Sequence, residues 1–140
     1  MEQLIEMLKV HEGVSHHVYK CPAGYETIGV GRNISDSGLG LTDEEIDYLL
    51  TNDIMRCYKE LGIFQWFTYL DQNRQFAIVD MCFNLGLTRL LKFENMIKAL
   101  ENKDWDEAAE QALDSRWATQ VGERAQKIAV ILRTGEINNG

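Results

Sequence analysis

The stretch Val18-Tyr19-Lys20-Cys21-Pro22-Ala23-Gly24-Tyr25-Glu26-Thr27-Ile28-Gly29-Val30 decides the fold class. Val18 to Lys20 and Tyr25 to Val30 favour extended backbone. Between them, Cys21-Pro22-Ala23-Gly24 supplies a proline that presets φ and a glycine that lets the chain reverse, so the stretch reads as a β-hairpin. On its C-terminal side, Gly31 to Leu41 is rich in Gly, Asn, Ser and Asp and reads as loop with room for one more short strand. On its N-terminal side, Met1, Leu4, Ile5, Leu8 and Glu12 recur at helical spacing and Gly13 supplies a stop, which predicts a helix over 2–12.

Beyond Leu41 the pattern is helical throughout. Thr42 and Glu45 form a capping box, Asp43 and Glu44 suit the positive end of the helix dipole, and Ile46, Leu49, Leu50, Ile54, Cys57, Tyr58 and Leu61 make one apolar stripe, which predicts a helix over about 43–60. Phe76 to Phe83 is apolar nearly all round, the mark of a helix at the centre of a lobe. Three further helices carry Phe93, Met96, Ile97 and Leu100; Trp105, Ala108, Ala109, Ala112 and Leu113; and Ala125, Ile128, Ala129 and Leu132. The expected architecture is α+β and mostly helical, a single domain over 1–140. It has a small N-terminal lobe of about 13–50 around the hairpin, a joining helix of about 43–60, and a helical lobe of about 61–140 that also takes in helix 2–12.

With 140 residues the chain can bury a real core, and 45% hydrophobic residues with 26% charged exclude disordered and low-complexity classes. Fourteen Lys plus Arg against 22 Asp plus Glu give a net charge of -8, which argues against general nucleic-acid binding. The imbalance is concentrated early. Residues 1–70 hold 5 basic and 11 acidic groups, residues 71–140 hold 9 and 11, and Arg116, Arg124, Lys127 and Arg133 cluster where an anionic partner would meet the chain. No apolar run approaches the roughly 18 residues of a membrane span, so neither a signal peptide nor a stable membrane association is expected. Cys21, Cys57 and Cys82 are odd in number and lack CxxC spacing, which points to free thiols in a reducing compartment, with Cys57 and Cys82 as core residues. His11, His16 and His17 show no ligand spacing, and no metal is expected.

Glu12 is the leading candidate for chemistry. It falls on the apolar face of its helix and at the helix C-terminus, and both burial and the dipole there disfavour a carboxylate, as a general acid requires. Eight residues separate Glu12 from Cys21, and five separate Cys21 from Thr27. With His11-Glu12-Gly13 and Gly24-Tyr25-Glu26-Thr27-Ile28-Gly29-Val30-Gly31 around it, this pattern resembles the bacteriophage T4-type lysozymes, whose motif is a glutamate, an aspartate or cysteine, and a threonine at this spacing. Phe83-Asn84-Leu85-Gly86, Trp105-Asp106-Glu107-Ala108-Ala109, Ser115-Arg116-Trp117, Arg124-Ala125 and Arg133-Thr134-Gly135 extend the resemblance over nearly the whole chain. The segment Arg32 to Leu41 is much shorter than in the T4 enzyme.

The resemblance implies a lysozyme-like fold and a muramidase of the endolysin type, cleaving the β-1,4 bond between N-acetylmuramic acid and N-acetylglucosamine in peptidoglycan. It makes Glu12 the general acid, Cys21 the base, water-positioning group or nucleophile, and Thr27 the residue that holds water. Arg124 becomes the partner of Glu12, and Phe83, Asn84 and Gln111 become substrate contacts. Arg32 and Asp53 stand where the T4 enzyme has a structural ion pair. No cofactor is implied, and a monomer is expected. Without a signal peptide, the protein is expected to be made in the host cytoplasm and to reach peptidoglycan glycan strands after a holin-like protein permeabilises the membrane. Cys21 in place of aspartate keeps a lytic transglycosylase open as an alternative, and a catalytically silent peptidoglycan-binding relative is the non-enzymatic one. Trp105 is expected in the core, and Trp117 is open between core and sugar platform.

Overall fold

A computed structural model describes residues 1–137, so the last three residues of the expected 61–140 lobe lie outside it. The chain divides into two compact units, Met1–Leu49 and the rest from Leu50 onward. The first unit begins with α1 (Glu2–Glu12), followed by β1 (Ser15–Lys20), β2 (Glu26–Gly29) and β3 (Arg32–Asn33). These strands form one antiparallel sheet in the order β1-β2-β3. Tyr19 pairs with Thr27 and Lys20 with Glu26, but Ser15 pairs with Gly29. Four steps along β1 therefore match two along β2, and a bulge sits at His16 to Val18. At the hairpin tip the Gly24 N–H donates to the Cys21 carbonyl at 2.8 Å and the Cys21 N–H donates to Tyr25 at 3.0 Å. Gly24 has φ 90°, so the Cys21-Pro22-Ala23-Gly24 sequence turns the chain as its residue types dictate.

The expected capping box forms at the start of α2 (Asp43–Leu61): the Glu45 N–H donates to Thr42 Oγ1 at 3.2 Å and Thr42 N–H to Glu45 Oε1 at 2.8 Å. The same Glu45 oxygen takes Arg32 Nη1 at 2.9 Å, and Arg32 also donates to the Gly40 carbonyl at 3.0 Å. Arg32 thus closes the loop between β3 and α2 and is paired with Glu45 instead of the expected Asp53, whose nearest cation is Arg56 at 3.8 Å. The reason is local: the capping box already turns the Glu45 carboxylate back toward the loop.

In the second unit the core is helix on helix. α4 (Gln72–Leu85) buries Ala77, Ile78, Val79, Met81, Cys82 and Leu85. It packs with α9 (Glu123–Thr134), which buries Ala125, Ile128, Ala129 and Leu132, and α7 (Trp105–Leu113) presents Ala108, Ala109 and Ala112 to the same core. α6 (Glu94–Glu101) adds Met96, Ala99 and Leu100. The single-turn or two-turn helices α3 (Gln65–Thr68), α5 (Leu87–Leu90) and α8 (Arg116–Val121) were not anticipated from the sequence. Cys57 and Cys82 are buried free thiols, as expected. Trp117 is core, 3% exposed and edge-on to Phe93, whereas Trp105 is half-buried with the Arg74 guanidinium 3.9 Å over its ring. Among the described residues no helix is long and apolar enough to cross a membrane.

Candidate active site

Glu12, Cys21 and Thr27 all belong to the first unit. Glu12 ends α1, and Gly13 follows with φ 77° and ψ 167°, a conformation open essentially to glycine alone, which turns the chain sharply off the helix into β1. The Glu12 carboxyl lies against the turn between β2 and β3. A Cβ placed on Gly31 would stand 2.9 Å from Glu12 Oε2 and 3.4 Å from Glu12 Cδ. The burial expected for Glu12 is not supplied by its own unit: Glu12 is exposed there, as are Leu4, Ile5 and Leu8 on the same helix.

The other two residues meet at the hairpin. Thr27 is 3% exposed, and its Oγ1 donates to the Tyr25 carbonyl at 2.8 Å. Cys21, half-buried, has its thiol held below the ordinary thiol range. Hydrogen bonding from the Tyr25 backbone is the main cause; Ala23, the Thr27 hydroxyl and Gly24 add to it, and partial desolvation opposes it. A hydroxyl has one proton and two lone pairs. While that proton rests on Tyr25, Thr27 Oγ1 keeps its lone pairs free to accept. Sequence reasoning missed Gly31, because a glycine in a glycine-rich loop gives no sign of which side chain it makes room for.

The remaining candidates lie in the second unit. Arg124, assigned from the sequence to Glu12, has its Nε donated to Asp80 Oδ1 at 2.7 Å and its Nη2 to the Asp80 carbonyl at 3.2 Å, fastening α9 to α4. Asp80 was passed over because one acid inside an apolar helix carries no spacing signal. Phe83 lines an apolar groove of about 320 Å³ with Phe76, Asp80 and Arg124. Asn84 Oδ1 accepts the Trp117 indole N–H at 2.8 Å. Gln111 donates to Glu107 at 2.7 Å and lines a different cavity of about 430 Å³, together with Arg89, Lys92, Arg116 and Trp117. Of the three expected substrate contacts, Phe83 and Gln111 therefore line different cavities and Asn84 lines neither of the two. Among the described residues no three His, Cys, Asp or Glu side chains converge as a metal site would require.

The phage lysozyme family matches residues 9–133 of this chain, a span that contains all of these residues. The chain belongs to the phage lysozyme family. It is similar to the probable T4-type lysozymes 1 and 2 of Dictyostelium discoideum, each 27% identical, over 95% of this chain and 95% of the first, and over 98% of this chain and 97% of the second. It is also similar to the pre-baseplate central spike protein Gp5 of Enterobacteria phage T4, 26% identical over 97% of this chain but only 28% of the spike protein. A phage lysozyme is a glycoside hydrolase of the lysozyme type, and that is the chemistry against which the hairpin geometry is to be read. Such an enzyme needs a proton donor and a group that handles water, and the first unit carries the Glu12 carboxyl, the Cys21 thiol and the Thr27 hydroxyl.

Proposed function

We propose that the protein is a phage-type endolysin, a muramidase that hydrolyses the β-1,4 bond between N-acetylmuramic acid and N-acetylglucosamine in peptidoglycan for host-cell lysis. The observation that carries this reading is that Glu12, Cys21 and Thr27 fall in one small unit, where a Cβ on Gly31 would stand 2.9 Å from Glu12 Oε2, so that the glycine makes room for the carboxyl. Glu12 protonates the glycosidic oxygen as the bond to C1 breaks and is left as a carboxylate. Thr27 accepts one hydrogen bond from the attacking water, and Cys21 takes that water's other proton, ending as a thiol. A lowered thiol pKa increases the fraction of Cys21 ready for this step. Phe83, Asn84 and Gln111 are proposed as glycan contacts and Arg124 as catalytic support; the partner in the cell is a holin-like protein that opens the membrane.

Mass spectrometry of muropeptides released from purified sacculi tests the reaction. Wild-type protein should give reducing-end products, and Glu12→Gln should release none while keeping its circular dichroism spectrum. A product one water lighter, the 1,6-anhydro sugar, would make the enzyme a lytic transglycosylase. Full release by Glu12→Gln would remove the assignment.

A further inference from the structure

A third concavity of the second unit, of about 410 Å³, lies where α3 meets the α6–α7 turn. Its rim is Gln65, Trp66, Tyr69, Glu101, Lys103 and Trp105, and its floor is Leu70 and Leu100. Three aromatic rings line it: Tyr69, 76% exposed, Trp66, and Trp105, one face of which is already taken by the Arg74 guanidinium. The polar ends of these side chains are unspent: among the described residues, none of the six rim side chains donates or accepts a hydrogen bond within the protein or enters an ion pair. Trp117 is the contrast, since its indole N–H is committed to Asn84 at 2.8 Å and its ring is buried. Lys103 adds a second observation. It is the one described non-glycine residue with positive φ, 56°, at the position after α6 where a Schellman motif closes, with Asp104 N–H to Ala99 at 2.8 Å and Lys103 N–H to Leu100 at 3.1 Å. Glycine suits that position better, yet a long cationic side chain stands there at the groove's rim.

Aromatic faces with unspent donors and acceptors at their edges match one ligand chemistry closely. A pyranose ring presents C–H groups on its face for the aromatic rings and hydroxyl and acetamido groups around its edge for the rim. We propose that this groove is an accessory glycan-binding site for β-1,4-linked N-acetylhexosamine chains, separate from the residues assigned to hydrolysis. The choice of glycan rests on the muramidase reading; the groove itself does not. It would hold the enzyme on its polymer between cleavage events.

The test uses the full chain carrying Glu12→Gln, with chitohexaose as the probe and the indole ¹⁵N–¹H resonances as the readout. Trp66 and Trp105 should shift on titration. A titration that leaves both in place, or that moves Trp117 alone, overturns the proposal. Trp66→Ala and Tyr69→Ala in the same background should each weaken retention on purified sacculi roughly tenfold. In the otherwise wild-type chain, Tyr69→Ala should leave turnover of a short soluble oligosaccharide unchanged. Because Tyr69 is exposed, its variant keeps the test valid if Trp66→Ala fails to fold, and wild-type retention by the folded variants overturns the proposal. Failure of the muramidase reading appears separately, as peptidoglycan release that survives Glu12→Gln.

Discussion

At Gly31 the absence of a side chain makes room for the Glu12 carboxyl. Alanine there meets two obstacles: a backbone at φ 68°, which costs about 1 kcal/mol for an L-residue, and a Cβ only 2.9 Å from Glu12 Oε2. Gly29 separates the two, since it has φ 71° with no atom within 4 Å of its would-be Cβ. Gly29→Ala and Gly31→Ala should therefore lower the melting temperature by similar small amounts, while Gly31→Ala alone displaces the acid and lowers kcat by about 10- to 100-fold. Equal kcat in the two variants would show that the Glu12 carboxyl tolerates displacement. The thiols allow a second check at the same scale. Cys21 is half-buried with a lowered pKa, whereas Cys82 is buried and pushed up to about 12 by desolvation first and by neighbouring Cys57 next. Iodoacetamide at neutral pH should modify Cys21 first in the native protein, with a pH midpoint lower than that of Cys21 in the unfolded chain. Modification of all three at one rate would contradict the structure. Cys21→Asp should retain activity and Cys21→Ala should lose about 10²-fold or more, as removal of a base requires.

At the scale of elements, the last turn of α9 depends on one side chain from α4. Arg74, 9% exposed, donates from Nε to the Leu132 carbonyl at 2.7 Å, from Nη2 to the Arg133 carbonyl at 3.1 Å and from Nη1 to Asp71 at 2.9 Å. A cation thus satisfies carbonyls at the negative end of the α9 dipole, and a Cβ on Gly135, itself at φ 74°, would stand 2.9 Å from Arg74 Nη1. Arg74→Met should cost about 3 kcal/mol, because the carbonyls lose their partners, and should lower the melting temperature by roughly 10 °C. Lys103→Gly should instead raise stability by about 1 kcal/mol by relieving its left-handed backbone. For the Arg32–Glu45 pair the pH dependence follows from the carboxyl. Hydrogen bonding from Arg32 first, then from the Thr42 backbone, lowers Glu45 from 4.5 to about 2, so its contribution is complete above the unfolded value and disappears as pH falls toward 2. Melting curves of Arg32→Ala and wild type should converge across that window and stay separate above it. The elements legible in the sequence are those with a repeating signal: the α1 spacing ending at Gly13, the capping box of α2, the apolar run of α4 and the Pro22–Gly24 turn. Helices of a single turn such as Gln65–Thr68 and Leu87–Leu90 are too short to show a period, and the bulge at His16 to Val18 needs the pairing register of both strands to be seen. The motif Glu12, Cys21 and Thr27 could be read from spacing, but its geometric support at Gly31 and Tyr25 could not, because neither residue type advertises a partner.

For the whole molecule, a net charge of -8 opposes approach to any anionic polymer. Residues 1–49 hold 3 basic and 9 acidic groups, so most of the excess lies in the unit that carries Glu12, Cys21 and Thr27. The C-terminal cations offset this less than the sequence suggested: Arg124 is paired with Asp80, and Arg133 lies 3.5 Å from Asp106 and 2.8 Å from Glu110, which leaves Arg116 and Lys127 of the four without an acidic partner among the described residues. Peptidoglycan on the proposed reading carries carboxylates, so approach is repulsive wherever screening is weak. The Debye length falls from about 30 Å at 0.01 M salt to about 10 Å at 0.1 M, which removes most of that repulsion while contacts at shorter range survive. Lysis of permeabilised cells should therefore rise over this interval before declining at higher salt, and the rise should appear in kcat/KM with kcat unchanged. Neutralising Glu6 and Asp47, both exposed and in the first unit, should flatten the low-salt limb without altering the high-salt one. A fall in activity from the lowest salt upward would mean that local cations such as Arg116, Arg89 and Lys92 around the Gln111 cavity govern encounter instead of the molecule's net field.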